Sequence, residues 1–155
     1  MSTEPTELRV ILAPIGGGQL MLPGSVVAEV VELADLRPVR GGPAWIKGEM
    51  DWQDWRVPVI SFGMLGGTAE VEAPGAKSRV LVIKSLAATS SAPYIGIMIS
   101  GVPRVSRVRA ADLVELEQAA DSPGVFREIS FEDRRVLIPE LDQLNEFIEP
   151  VMTDS

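Results

Sequence analysis

Apolar residues in this chain recur mostly with a period of two, and glycine and proline interrupt them so often that few runs exceed seven residues. Alternation in short punctuated runs is the pattern of half-buried strands joined by turns, and it predicts an all-β chain. The strand candidates are Leu8 to Ala13, Gln19 to Leu22, Trp45 to Trp52, Arg56 to Ile60, Arg79 to Lys84, Tyr94 to Ser100, Phe126 to Phe131 and Arg135 to Ile138. In Tyr94 to Ser100, Ile95, Ile97 and Ile99 share one face and Tyr94, Gly96, Met98 and Ser100 the other, so the all-isoleucine face is read as core. Helical character is expected around Val26 to Val31, around Ala110 to Ala119 and in Glu140 to Ile148, where Leu141, Leu144 and Ile148 lie a turn apart. Thr68 to Lys77 and Ala87 to Ala92 lack periodicity and read as loops.

The strand pattern repeats. Met50, Trp52, Val57 and Val59 have apolar counterparts 79 positions on at Ile129, Phe131, Val136 and Ile138, and Asp54 and Arg56 recur as Asp133 and Arg135. Leu20-Met21-Leu22-Pro23-Gly24 is echoed by Ile97-Met98-Ile99-Ser100-Gly101 at a spacing of 77. Matched hairpins in matched order point to two similar β-lobes. A chain of 155 residues can bury about 70% of its unfolded surface, enough for one domain of two lobes. The lobes are expected at about 8–72 and 73–148, dividing near Val71 to Lys77 with terminal segments crossing between them, and with flexible termini at 1–7 and 149–155.

Composition narrows the chemistry. With no histidine and no cysteine, the chain cannot build a Ser-His-Asp or Cys-His site, a Cys/His zinc site or a disulfide framework. No catalytic, metal-binding or cofactor-binding residue is assigned. A formal charge of −8 disfavours nucleic acid and anionic membrane surfaces. No apolar run has the length of a spanning helix, and Met1-Ser2-Thr3-Glu4-Pro5 lacks the pattern of a secretory signal, so a cytoplasmic location without membrane insertion is expected.

Three features are weighed as sites. Gly16-Gly17-Gly18 lacks the Gly-Lys-Ser/Thr that completes a phosphate-binding loop and reads as a hairpin turn. Asp51 with Asp54, or Glu132 with Asp133, are the carboxylate pairs on which an enzymatic alternative would rest, although hairpin turns select aspartate for its local backbone hydrogen bonds. Asp112, Glu115 and Glu117 read as a solvated face. Trp45, Trp52 and Trp55 are a different matter, because all three of the chain's tryptophans fall within eleven residues. Trp52 shares parity with Met50 and is the core candidate, while Trp45 and Trp55 are expected to be partly exposed and available to a partner.

Val27-Ala28-Glu29-Val30, Pro43-Ala44-Trp45-Ile46-Lys47-Gly48 and Val57-Pro58-Val59-Ile60 resemble, in order, the V-x-E-[VI], P-x-[FW]-[IV]-x-G and V-P-[VI]-[IV]-D segments of CheW-like domains. Tyr94 to Val105 is similar to the family's second-half strand and turn. The resemblance spans roughly residues 8–148. It implies two five-stranded SH3-like β-barrels packed side by side, with a few short helices. It also implies an adaptor that joins the cytoplasmic tip of a methyl-accepting chemoreceptor to the regulatory domain of a CheA-type histidine kinase, recruited to membrane-associated arrays. The partner contacts it implies are Val27, Glu29, Val30, Trp45, Ile46, Gly48, Trp52, Gln53, Asp54 and Trp55. Gln53 and Asp54 stand where the family's N-L-R-G turn has arginine and glycine, and Ser61 stands where its strand ends in aspartate. The surviving pattern, a tryptophan-rich turn followed by Val57-Pro58-Val59-Ile60-Ser61-Phe62, looks more like the CheW-like proteins of type IV pilus chemosensory systems, the PilI and ChpC kind. The departures also leave open an accessory regulator that binds the kinase without ordinary receptor coupling, because glutamine cannot reproduce an arginine contact.

Overall fold

The computed structural model describes residues 7–33, 35–39, 41–65, 69–85, 93–109, 114–115, 125–131 and 134–139, together with Leu144, Glu146 and Ile148. In chain order the strands are β1 (Glu7–Ile15), β2 (Gly18–Pro23), β3 (Val27–Glu32), β4 (Ile46–Trp52), β5 (Trp55–Ile60), β6 (Arg79–Lys84), β7 (Tyr94–Ile99), β8 (Arg104–Arg109), β9 (Val114–Glu115), β10 (Val125–Phe131) and β11 (Arg134–Pro139). A four-residue helix, α1 (Phe62–Leu65), follows β5, and a single 3-10 turn, Gly24–Val26, joins β2 to β3. Leu144, Glu146 and Ile148 are helical, in agreement with the apolar spacing of that segment.

One sheet has the order β8-β1-β2-β11-β10-β9, its last member only two residues long, and the other has the order β3-β6-β7-β5-β4. The all-β, two-lobe architecture expected from the alternation is therefore present. The two sheets are built alike. In each, an antiparallel trio (β8-β1-β2, β3-β6-β7) joins through a parallel pair (β2 with β11, β7 with β5) to an antiparallel hairpin (β11-β10, β5-β4). Cross-strand partners in the hairpins match at the 79-residue offset: Met50 faces Val57 as Ile129 faces Val136, and Trp52 faces Trp55 as Phe131 faces Arg134. Even the bulge recurs, between Ile46 and Gly48 in β4 and between Val125 and Arg127 in β10.

The sheets do not divide the chain at Val71 to Lys77. β1 and β2 complete the sheet of the C-terminal strands, while β6 and β7 complete that of β3, β4 and β5. The counterpart of β3-β4-β5-β6-β7 is thus β8-β10-β11-β1-β2, the same unit with its last hairpin supplied from the N-terminus. A terminal segment does cross between lobes, as the whole hairpin β1–β2, but β6 and β7 also belong with β3, β4 and β5, because spacing alone assigns strands to matching positions and not to a common lobe.

Two more expectations need correction. Val26 to Val31 is not an α-helix: Val26 ends the 3-10 turn and Val27 to Val31 form most of β3. Its bulge between Val27 and Glu29 breaks the period of two, so that Val27 packs toward one cluster and Val31 toward another, a spacing that imitates a helix. Around Ala110 to Ala119, Val114 and Glu115 are a strand paired with β10, and the rest of that segment lies outside the described residues, as do Ala87 to Ala92, Asp112, Glu117, Glu132, Asp133 and the segments 1–6 and 149–155. β8 was not expected, because in Arg104-Val105-Ser106-Arg107-Val108-Arg109 the two valines face opposite sides and only Val108 is buried.

Apolar side chains form three clusters. Val10, Leu12, Met21, Val108, Ile129, Phe131 and Val136 fill one barrel, and Met50, Val57, Val59, Val80, Val82 and Met98 fill the other. Between the barrels lies a larger cluster drawn from the opposite faces of the same strands, including Leu20, Leu22, Ile60, Leu81, Ile83, Ile95, Ile97, Ile99 and Leu137, closed by Leu144 and Ile148. The isoleucine face of β7 is this seam. On its other face β7 carries Gly96, where an added Cβ would lie 2.7 Å from Val80 Cγ1 and 3.1 Å from Val59 Cγ2. Gly96→Ala is expected to destabilise the protein by about 1–3 kcal/mol in chemical denaturation, because neither valine can rotate away within a packed barrel. Gly75→Ala, exposed with nothing within 4 Å of the new methyl, should change stability by no more than about 0.5 kcal/mol.

Candidate functional site

The hairpin β4–β5 ends in a two-residue turn, Gln53-Asp54, with φ of 46° and 68°. Positive φ at both central positions is the pattern of a type I′ turn, whose twist suits a two-residue hairpin. Glycine meets this requirement without strain, and Asp54 meets it as one of the few side chains that tolerate the left-handed region. The turn carries Trp52 and Trp55 as a directly facing pair, with the parity that points both toward the barrel's open end.

Four strands meet there. Trp52 Nε1 donates to Glu29 Oε2 at 2.7 Å, tying β4 to β3. The Trp52 ring lies edge-on to Tyr94 at 4.8 Å between centroids, and Trp55 is tilted against the same tyrosine at 5.8 Å. Trp52 and Tyr94 are half-buried against the barrel core, whereas Trp55 is 47% exposed. The result is an aromatic mouth with Glu29, Gln53 and Asp54 on its rim, all exposed.

Below the mouth, the barrel closes through the segment after β3. Arg37 and Glu49 exchange backbone hydrogen bonds of 2.9 Å each way, the one bridge that links this segment to β4 among the described residues. The Arg37 guanidinium donates to both oxygens of Asp51 at 2.9 Å and lies 3.5 Å from Glu49, which Arg56 also contacts at 2.9 Å. Hydrogen bonding to Arg37 holds the Asp51 carboxyl below its ordinary value, and the same bond raises Arg37. Asp51, on which with Asp54 an enzymatic alternative would rest, is thus engaged in an exposed ion pair that closes the barrel.

The ten residues singled out from the sequence separate into two groups. Glu29, Trp52, Gln53, Asp54 and Trp55 come together at the mouth, and Val30 is exposed nearby on β3. Val27, Trp45 and Ile46 instead pack against the central seam, Val27 at the start of β3 and Trp45 and Ile46 at the far end of β4, about 20 Å from the turn by strand rise. Gly48 is buried at the bulge with φ of 145°, and a Cβ there would stand 2.7 Å from the Arg37 carbonyl oxygen, so glycine is needed for the closing bridge to form. Tyr94 escaped the sequence reading. It joins the mouth only because β7 lies beside β5, and a lone tyrosine at a strand start carries no local signal of that neighbour.

Paired SH3-like barrels, one with an exposed aromatic mouth, define a β-barrel interaction module. The CheW-like domain model matches residues 9–148, and the chain belongs to that family. Among solved structures, the scaffolding protein TtCheW from Thermoanaerobacter tengcongensis shares the fold with a TM-score of 0.71 at 16% identity, over 91% of this chain and 89% of that one. No curated protein matches by sequence.

The turn geometry carries its own test. Asp54→Gly is expected to raise stability by about 0.5–1 kcal/mol in chemical denaturation, since it relieves the left-handed strain at the second turn position. A loss of stability would mean that the Asp54 side chain contributes more than its backbone costs.

Proposed function

We propose that this chain is a non-enzymatic scaffold of a bacterial chemosensory system, linking the tip of a methyl-accepting chemoreceptor to the regulatory domain of a CheA-type histidine kinase. The exposed Trp55, braced by Tyr94 and Trp52 at the barrel mouth, is the observation that carries the kinase-side assignment. A large rigid indole on a preformed support binds with little loss of side-chain entropy, and such residues are enriched among interface hot spots. Family membership supports the adaptor class, and TtCheW, which shares the fold, is a scaffolding protein. The divergent Gln53-Asp54 turn favours the type IV pilus branch of such systems. No helix among the described residues is long and apolar enough to cross a membrane, so a place in a membrane-associated array would depend on partners.

The same turn supports a second reading, an accessory regulator that holds the kinase without coupling it to ordinary receptors. Gln53 is neutral and Asp54 acidic, so the turn itself offers a partner's carboxylate no charge-assisted donor.

Both readings predict that Trp55→Ala weakens binding to the kinase regulatory domain by about 2 kcal/mol, roughly thirtyfold in titration calorimetry, with an unchanged circular dichroism spectrum. Unchanged affinity would remove the kinase contact from the mouth. In reconstitution with receptor and kinase, activation by the unmodified chain marks a coupling protein, and kinase binding without activation marks the accessory regulator.

A further inference from the structure

Between Glu70 and Lys77, Glu72 is the one buried residue. Its side chain, 8% exposed, reaches out of a segment without regular structure and makes two hydrogen bonds. Oε2 accepts from the backbone N–H of Gly16 at 2.6 Å, in the β1–β2 turn of one lobe. Oε1 accepts from the Ser61 hydroxyl at 2.5 Å, at the exit of β5 in the other. Ser61 Oγ in turn accepts from Met64 N–H at 3.2 Å and so caps α1. A single carboxylate thus spans both lobes beside the seam, close to where Ser100 N–H donates to the Pro14 carbonyl at 2.9 Å.

We propose that residues 69–78 form a releasable strap across the seam, with Glu72 as its latch. Apart from the latch, the attachment at its start is the bond from Ala69 N–H to the Gly63 carbonyl at 3.0 Å. Among the described residues its other hydrogen bonds are Ser78 N–H to the Gly75 carbonyl and Gly75 N–H to Ser78 Oγ, both internal to it, and one from the adjoining Arg79 guanidinium to the Ser78 carbonyl at 3.1 Å, at the end where the strap enters β6. Glu70, Val71 and 73–77 face solvent, so freeing them sacrifices little apolar burial. The position of Ser61 also accounts for the latch. An aspartate there would cap α1 equally well but would set a second carboxylate against Glu72 in a buried site, where like charges repel strongly. Serine caps the helix and donates to Glu72 with the same oxygen. Opening the strap uncovers the Gly16 turn and the end of α1 while leaving both barrels intact.

Limited trypsin digestion of the full chain tests this through Lys77, in the strap, against Arg56, in β5. Glu72→Ala removes the latch, and Ser61→Asp repels it while retaining the helix cap. Both variants should raise the cleavage rate after Lys77 about tenfold or more and leave that after Arg56 unchanged. An unchanged Lys77 rate in either variant would overturn the proposal. So would an equal rise at Arg56, which would show that Glu72 supports the whole fold rather than the strap.

Discussion

Everything in this molecule depends on strands whose two faces are both apolar. A strand in an open antiparallel sheet presents one face to the core and one to water, but here β2, β5, β6, β7 and β11 bury one face inside their own barrel and the other in the seam between barrels. Each fully buried leucine or isoleucine in that seam stabilises the fold by about 1.5–3 kcal/mol relative to exposure. The seam is also the largest of the three clusters and draws side chains from both lobes. Neither barrel could expose this face without presenting a broad apolar surface, so the lobes are halves of one unit.

The exchange of hairpins strengthens that dependence. Because β1 and β2 complete the lobe built from β8 to β11, the first-made strands of the chain must wait for the last. Such pairing has a high contact order and closes a long loop, a cost that only burial in the seam and barrel offsets. Repetition of the bulge and of the hairpin pairs at one offset gives the two units the same local register, although their last hairpins come from different parts of the chain. The facing pair Trp52 and Trp55 of one hairpin corresponds to Phe131 and Arg134 in the other, so like frames carry unlike side chains.

Much of this was legible in the sequence. Alternation identified eight strands, because their side chains obey a period of two, and the offsets of 79 and 77 revealed the duplication. The isoleucines of β7 announced a core face. What failed to show has a physical cause in each case. β3 is bulged, which scrambles its parity, and β8 sits at a sheet edge with little to bury. Lobe membership is a matter of pairing between strands remote in sequence, and no local pattern encodes it. For the site, tryptophan clustering pointed to the right hairpin, but Trp45 lies at its other end and Tyr94 arrives from a strand some 40 positions on. Gly48, legible as a motif residue, has the structural task of admitting the Arg37 backbone.

The central claim is that the seam couples the two lobes into one cooperative structure. Native-state hydrogen exchange on Ile97→Ala tests it directly, since Ile97 lies in the seam on a strand of only one lobe. Protection should fall by about 2–5 kcal/mol for amides of both β4–β5 and β10–β11, together and by similar amounts. A loss confined to β4–β5, with β10–β11 still fully protected, would show that the barrels are stable independently and would contradict the account.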